Sequence, residues 1–213
     1  MKLSTNFLKD YIDIDVDVKQ LAEDMTRVGN EYDSASNLIN ATKLVIGQIT
    51  ECEPHPDSDH LHLCKVNIGT EVLDIVCGAP NARTGLKVIV ALDGAVLPEK
   101  TIKKGMIRGQ ESNGMLCSIA ELGLEHKFLK PEDSEGIAEL GEDAEIGGDP
   151  IKYLQMDDGV IDFELTANRG DLLSILGMAY EVGAIYDKKV KDVDLKHKES
   201  GEDINKTFKT EVK

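Results

Sequence analysis

Apolar positions recur with two different periods along this chain, and the points where the period changes mark its organisation. Near the start the period is helical. Val18, Leu21, Ala22, Met25 and Val28 lie three or four residues apart, the spacing that lines side chains along one face of an α-helix. Asp17 stands just ahead of the run, where its carboxylate can accept from free N–H groups of the first turn. Gly29 stands just after it and suits the left-handed conformation that ends helices. A shorter helix is predicted before this one, capped by Ser4, with Phe7, Leu8 and Tyr11 facing inward. From Leu44 the period becomes that of strands. LVIGQITECE, LHLCKVNI, VLDIVC and LKVIVAL are short β-branched runs separated by Pro, Asp, Gly and Asn, which predicts a small antiparallel barrel. GMLCS at 114–118 reads as its closing strand, leading into a short helix, SIAELGL.

Beyond the barrel an acidic stretch, LKPEDSEGIAEL to GEDAEIGGDP, reads as loops around one strand at Gly136–Leu140. VIDFELT predicts a strand with Ile161, Phe163 and Leu165 on one face. The helical period then returns. Asp171 is the expected cap of a helix whose stripe is Leu172, Leu173, Leu176, Ala179, Tyr180, Gly183 and Tyr186. After Asp187 the sequence is highly charged and weakly periodic, without a strong stop signal, so the natural chain is expected to continue. No internal repeat is visible. A β-rich middle between helix-rich ends predicts an α+β, mainly β fold. A discontinuous α+β module is expected from residues 1–39 and 151–190. The barrel at 40–150 is inserted into it, and a charged segment follows at 191–213.

The net charge of −16 is a poor start for a partner made of nucleic acid. The acid is unevenly placed, however. Residues 119–164 hold three basic and fourteen acidic side chains, and the rest of the chain is near neutral. Between Gly78 and Gln110 the balance reverses, with Arg83, Lys87, Lys100, Lys103, Lys104 and Arg108 against Asp93 and Glu99. No run of about 18 apolar residues is present to span a membrane. The opening MKLSTNFLKDYIDID lacks the apolar segment of a signal peptide. Cys52, Cys64, Cys77 and Cys117 form no C-x-x-C pair. They read as reduced core thiols of a cytoplasmic protein.

His55, Asp57, Asp59, His60 and His62 have the composition of a metal site. All five fall within eight residues of a turn entering a strand, whereas a zinc site wants ligands that converge. The preferred reading is a Pro-Asp turn followed by a solvated strand face bearing His60 and His62, with Leu61 and Leu63 on the other face. Ser118 beside Cys117 lacks an evident base to activate either group. Asn168, Arg169 and Asp171 read as a turn, a helix cap and an ion pair. No catalytic residue and no metal ligand is therefore assigned.

Three strings carry a resemblance. They are HPDSDHLHLCKVNIG with VCGAPNARTGLKVIVALDGAVLP, then IKKGMIRGQESNGMLCSIAELGL, then FELTANRGDLLSILGMAYEVGAIY. The first two resemble the OB-type tRNA-binding module of synthetase-associated proteins. All three in this order, after KLSTNFLKDYIDID, resemble the beta-subunit family of bacterial phenylalanine–tRNA ligases, in its amino-terminal region. The likeness covers residues 1 to about 187. It departs at Ala167 and Gly170, where the family usually has proline. The resemblance implies an OB-type barrel inserted in the α+β module. It also implies a heterotetramer of two alpha and two beta subunits that uses ATP and magnesium, and a partner tRNA specific for phenylalanine. The aminoacylation site then lies in alpha and an editing site for mischarged tyrosine in later parts of beta. This stretch itself needs no cofactor, and neither DNA nor membrane is an expected partner. A free-standing tRNA-binding chaperone is the alternative.

The candidate tRNA-contacting residues are Lys65, Asn81, Arg83, Lys87, Lys103, Lys104, Arg108, Ser112, Met115 and Ser118. The Asn81–Gly85 loop and the Lys103–Arg108 strand are expected to share one phosphate-facing patch. From Leu44 to Lys127 there is no Phe, Tyr or Trp, so the barrel lacks the aromatic platform on which OB-type proteins stack bases. Binding is therefore expected to rest on charge and shape, and to be weak and sensitive to salt.

Overall fold

The computed structural model describes residues 1–124, 129–130, 136–192, 194, 196–198 and 201–211. The parts of the acidic stretch read as loops at 125–128 and 131–135, and the end of the charged segment at 212–213, lie outside the described residues.

The first three-stranded sheet is assembled from both ends of the chain. β1 (Lys2–Ser4), β2 (Tyr32–Asn37) and β10 (Gly159–Phe163) pair antiparallel with β10 in the centre, Ile161 opposite both Leu3 and Ala35. α1 (Thr5–Tyr11), α2 (Val18–Arg27) and α4 (Ile175–Tyr186) cover it. Their common core is Leu3, Leu8, Ile12, Leu21, Met25, Ile161, Phe163, Met178 and Val182, all nearly inaccessible to water. The predicted caps of the first two helices are in place. Phe7 N–H donates to Ser4 Oγ at 3.1 Å and Lys19 N–H to Asp17 Oδ1 at 2.9 Å, and Gly29 takes φ 97°. Two predicted inward positions are wrong. α1 turns Leu8 and Ile12 inward, which leaves Phe7 61% exposed, and Val28 sits past the last turn of α2 and is exposed.

The helix predicted from Asp171 begins later. Gly170–Leu173 is a 3-10 turn, and the cap of α4 is Ser174, whose Oγ accepts from Gly177 N–H at 3.0 Å. This shift rotates the stripe. Met178, Ala179, Val182 and Gly183 are buried, while Leu173 and Tyr180 point to solvent. Asp171 is held instead by the guanidinium of Arg169.

Residues 38 and 158 meet where the intervening stretch leaves and rejoins the first sheet. Leu38 N–H donates to Asp158 O at 2.7 Å. Asp158 itself accepts from Ser4 Oγ, Thr5 Oγ1 and Asn6 N–H. Between these points lies a five-stranded antiparallel sheet in the order β5-β4-β3-β6-β9, with β3 (Leu44–Pro54), β4 (His62–Asn67), β5 (Val72–Cys77), β6 (Lys87–Leu92) and β9 (Gly114–Cys117). β3 is eleven residues long and bulges at Thr50, which lets one strand turn the corner from β6 to β4. A Cβ on Gly47 would come within 2.7 Å of Val90 and 2.8 Å of Val66, so the packing of these two valines over β3 favours glycine there.

The fold is mainly β and OB-like, a curled half-barrel. β9 pairs with β6 but not with β5. A separate hairpin, β7 (Gly105–Ile107) with β8 (Gln110–Ser112), crosses the seam, where Asn113 N–H donates to Asp74 O at 2.8 Å and Val76 N–H to Ser112 Oγ at 3.1 Å. β6 is covered on both faces. Val88 and Val90 join the barrel interior with Ile49, Val66, Ile75 and Leu116, while Ile89 and Ala91 join an outer core with Ile39, Leu97, Ile102 and Leu122. That explains why VIVAL, after Lys87, is apolar throughout rather than alternating. Gly136–Leu140 forms a single bridge, Leu140 to Lys87, and no strand. Ile151, Tyr153, Leu154 and Met156, around the short helix α3 (Pro150–Tyr153), pack on the outer core of the barrel. No helix of the described residues is long and apolar enough to cross a membrane.

Candidate nucleic-acid interface

The predicted patch of cations separates into two ends of the barrel. β6 runs from Lys87 to Leu92, a rise of about 20 Å from Lys87 to the residue after the strand at about 3.3 Å per residue. Arg83 and Lys87 stand at its start. Lys103, Lys104 and Arg108 stand beyond its end, where Lys104 N–H donates to Asp93 Oδ1 at 2.9 Å.

The cations at the first end are engaged within the chain. Arg83 grips Glu139 with two hydrogen bonds of 2.7 and 2.6 Å. That contact holds the Glu139 carboxyl below its usual range and raises the guanidinium. Lys87 Nζ donates to the carbonyls of Glu142 and Ala144. Asn81 ties down the same segment, since its amide donates to Ile137 O and its Oδ1 accepts from Ile137 N–H. These three residues fasten the acidic stretch to the barrel. Lys65, on the outer face of the sheet, pairs with Glu51 at 2.8 Å, beside Glu53, Asp74 and Glu111 along one groove.

Ser112 and Ser118 are buried and occupied. Ser112 Oγ accepts from Val76 N–H and donates to Gly114 O. Ser118 and Glu121 cap each other: Ser118 N–H donates to Glu121 Oε2 at 2.9 Å, and Glu121 N–H donates to Ser118 Oγ at 3.2 Å. This is the reciprocal arrangement that S-x-x-E sequences form at the start of a helical turn. The string SIAE carried that signal in the sequence. Met115 lines a cavity of about 480 Å³ with Ser118, Gly78, Glu99 and Gly136. Burial pushes the neighbouring Cys117 thiol up to about 12, far from the thiolate that nucleophilic chemistry requires.

Lys103, Lys104 and Arg108 remain exposed on the hairpin and its approach. Neither lysine has an ion-pair partner among the described residues. Arg108 Nη1 donates to Asp57 O at 3.0 Å, which joins the hairpin tip to the turn between β3 and β4. Sequence reading missed Lys43, just ahead of β3. It takes φ 52° and reaches Asp93 O with its Nζ at 3.4 Å, so it adds a fourth cation at the hairpin end. Asp93, Asp57, Asp59 and the hairpin's own Glu111 are among the carboxylates in this neighbourhood.

The histidine turn does not gather ligands. His55 is buried, and its Nδ1 accepts from Asp57 N–H at 3.0 Å. His60 pairs with the fully exposed Asp59. The face assignment fails for His62. It shares the barrel-lining side of β4 with Cys64 and Val66, and its Nδ1 is buried, because strand alternation counts from those core residues. Among the described residues no group of three or more His, Cys, Asp or Glu could hold a metal ion. Cys52 and Cys64, distant in sequence, face each other across β3 and β4 as free thiols with sulfurs 3.8 Å apart. In the α+β part, Arg169 bonds Glu181, Asp171 and the Oδ1 of buried Asn30, an internal knot between α2 and α4. Its hydrogen bonds to Asp171 and Glu181 raise the Arg169 pKa, so the guanidinium stays charged there.

Residues 44–149 match the family described as "Putative tRNA binding domain". The chain is 47% identical over 192 residues to a phenylalanine–tRNA ligase beta subunit of Lactiplantibacillus plantarum, covering 89% of this chain and 24% of that protein. The beta subunit of Geobacillus kaustophilus is 43% identical over 216 residues, covering 100% of this chain and 27% of that protein. That of Bacillus subtilis is 47% identical over 195 residues, covering 90% and 24%. The chain thus spans about a quarter of the length of the relatives it matches. Sustained identity on both sides of the barrel, across the point where residues 38 and 158 meet, joins the matched tRNA-binding domain to its flanks, and the chain belongs as a part to the family of phenylalanine–tRNA ligase beta subunits.

Proposed function

We propose that this chain is a structural and tRNA-docking part of an enzyme that attaches phenylalanine to its tRNA at the expense of ATP. In this reading the α+β module and the inserted barrel are separate folding units, and the module seats the barrel on the remainder of the beta subunit. The whole enzyme is a cytoplasmic assembly of two alpha and two beta subunits that uses ATP and magnesium. The present stretch contributes no catalytic group and binds no cofactor. The observation that supports docking is the cationic hairpin end, where Lys43, Lys103, Lys104 and Arg108 form no ion pair among the described residues, whereas Lys65, Arg83 and Lys100 pair with carboxylates and Lys87 with carbonyls. Cations without carboxylate partners release condensed counterions when they meet phosphates, which gives a binding free energy that falls with salt.

Labelled tRNA titrated with the chain across a salt series tests this. Wild type is expected to bind at micromolar affinity or weaker, with little dependence on which tRNA is offered. Lys103→Ala, Lys104→Ala and Arg108→Ala together should lower both the affinity and the salt slope, the slope by up to about 0.9 for each phosphate that is no longer neutralised. A triple variant that binds as tightly as wild type would remove the hairpin from the reading.

A further inference from the structure

The hairpin carries apolar groups as well as charge. It turns at Arg108 (φ 47°) and Gly109 (φ 82°), and its strand β7 leaves Met106 67% and Ile107 41% exposed. Solitary apolar side chains on a surface need no explanation, but these two follow one another in β7 and so leave both faces of the ribbon tip apolar, between Lys103, Lys104 and Arg108. The neighbouring outer face of β3, β4 and β5 is closed to a polyanion. Its groove is lined by Glu51, Glu53, Asp74 and Glu111, and its lysine, Lys65, is already paired.

We propose that the hairpin tip is a platform for unpaired RNA nucleotides, with phosphates along Lys103, Lys104 and Arg108 and a base lying on the Met106 side chain. This rests on the tRNA-docking reading above and specifies the part of the RNA that is met. The barrel between Leu44 and Lys127 has no aromatic ring, so apolar contact with a base face there uses an aliphatic or thioether surface. Methionine is flat enough when extended, and polarisable. Across the ribbon Glu111 stands directly opposite Met106. Glu111 also borders the acidic groove, so its carboxylate turns phosphates away from that side and accepts from a base amino group while the base face lies on Met106. The anchor from Arg108 to Asp57 O holds the tip against the turn between β3 and β4. A fully paired A-form helix hides its base faces and presents backbone and 2′-hydroxyls. The apolar tip gains nothing from it.

The test compares three probes at one salt concentration on the whole chain: tRNA, an unstructured single-stranded RNA and a blunt-ended RNA duplex. The single strand should bind more tightly than the duplex. Met106→Ala with Ile107→Ala should weaken single-strand binding about fivefold, below the effect of a full aromatic stack, and leave duplex binding and the salt slope unchanged. Met106→Trp should strengthen single-strand binding about tenfold. Circular dichroism of both variants controls for folding, and the gain expected of the tryptophan variant cannot arise from a misfolded hairpin. Single-strand binding indifferent to both variants overturns the platform and leaves the docking reading standing. Failure of the wild-type chain to bind tRNA at all overturns both.

Discussion

Replacing Gly177 by alanine sets helix propensity against packing, and the two predict opposite signs. Gly177 is the third residue of α4, and its N–H is the donor to the Ser174 cap. Propensity alone makes alanine better than glycine by up to about 1 kcal/mol in a helix. A Cβ at this position, however, would lie 1.9 Å from the carbonyl oxygen of Asp171 and 2.9 Å from its carbon. Those atoms are backbone, in a 3-10 turn fixed by Leu172 N–H donating to Arg169 O and by the burial of Leu172, so the strain cannot be relieved by rotating a side chain. Overpacking of this kind costs about 1–3 kcal/mol and sometimes more. With the helix gain subtracted, a loss of about 2 kcal/mol is expected. Tyrosine fluorescence during urea unfolding weights the α+β part, because Tyr11, Tyr32, Tyr180 and Tyr186 belong to it and only Tyr153 of the five tyrosines packs on the barrel. At about 1–3 kcal/mol per molar urea the midpoint should fall by about 1 M. Gly170→Ala, whose Cβ would meet nothing within 4 Å, should move it little. A midpoint for Gly177→Ala equal to or above that of wild type refutes the packing argument.

Ser118→Ala removes one half of the reciprocal cap with Glu121 and should cost the barrel about 1 kcal/mol in a thermal melt followed by far-ultraviolet circular dichroism, while tRNA affinity stays unchanged. Arg169 holds the Glu181 carboxyl below the usual range, so this carboxylate contributes stability that is present above the unfolded value near 4.5 and is lost as pH falls through the folded one. Glu181→Gln should therefore lower stability at pH 7 and flatten the acid limb of a stability profile measured by urea titration between pH 3 and 7. A fragment of residues 38–157 should fold alone, and one of residues 40–150 should be less stable. The shorter fragment discards Tyr153, Leu154 and Met156 from the outer core and the Tyr153 hydroxyl bond to Asp143, and paired melts will show the difference.

The architecture was legible because periodicity reports burial, and burial is what the elements share. Val18, Leu21, Ala22 and Met25 are buried as their spacing requires, and the change of period at Leu44 marks the start of β3. Failures came where one residue's neighbours in space decide its role. Asp171 looked like a cap, but Arg169 competes for its carboxylate and the helix starts at Ser174. Phe7 looked inward-facing because aromatic residues usually are. The single set of cations in the sequence became two because β6 holds them apart, and a count along the chain contains no distance between strand ends. Glu139, 56 residues from Arg83, could not be identified as its partner from spacing, and Lys43 was overlooked because its contact is with a carbonyl after β6.

That separation also leaves a chain of net charge −16 with exposed lysines at the hairpin end that form no ion pair among the described residues, and it leads to a test in salt. Residues 139–144 of the acidic stretch are fastened at the Arg83 and Lys87 end, where Glu139 forms its ion pair with Arg83 and Glu142 and Ala144 accept from Lys87 through backbone carbonyls. The hairpin end lies about 20 Å away along β6. At physiological ionic strength the Debye length is about 8 Å, so the acid held at the Arg83 and Lys87 end is largely screened at the hairpin, where the exposed cations meet the nearer carboxylates of Glu111, Asp59 and Asp93. At an ionic strength of 0.01 M the Debye length grows to about 30 Å, beyond that separation, and the acid then opposes an approaching RNA. Plain counterion release gives a straight line of log affinity against log salt. Here the line should hold near physiological salt and flatten as salt is reduced toward 0.01 M. Neutralising the acidic end with Glu142→Gln, Asp143→Asn and Glu145→Gln should restore affinity at low salt and change it little at 0.15 M. A line that stays straight to the lowest salt, with no response to those substitutions, would show that the acidic end does not influence the hairpin at any ionic strength.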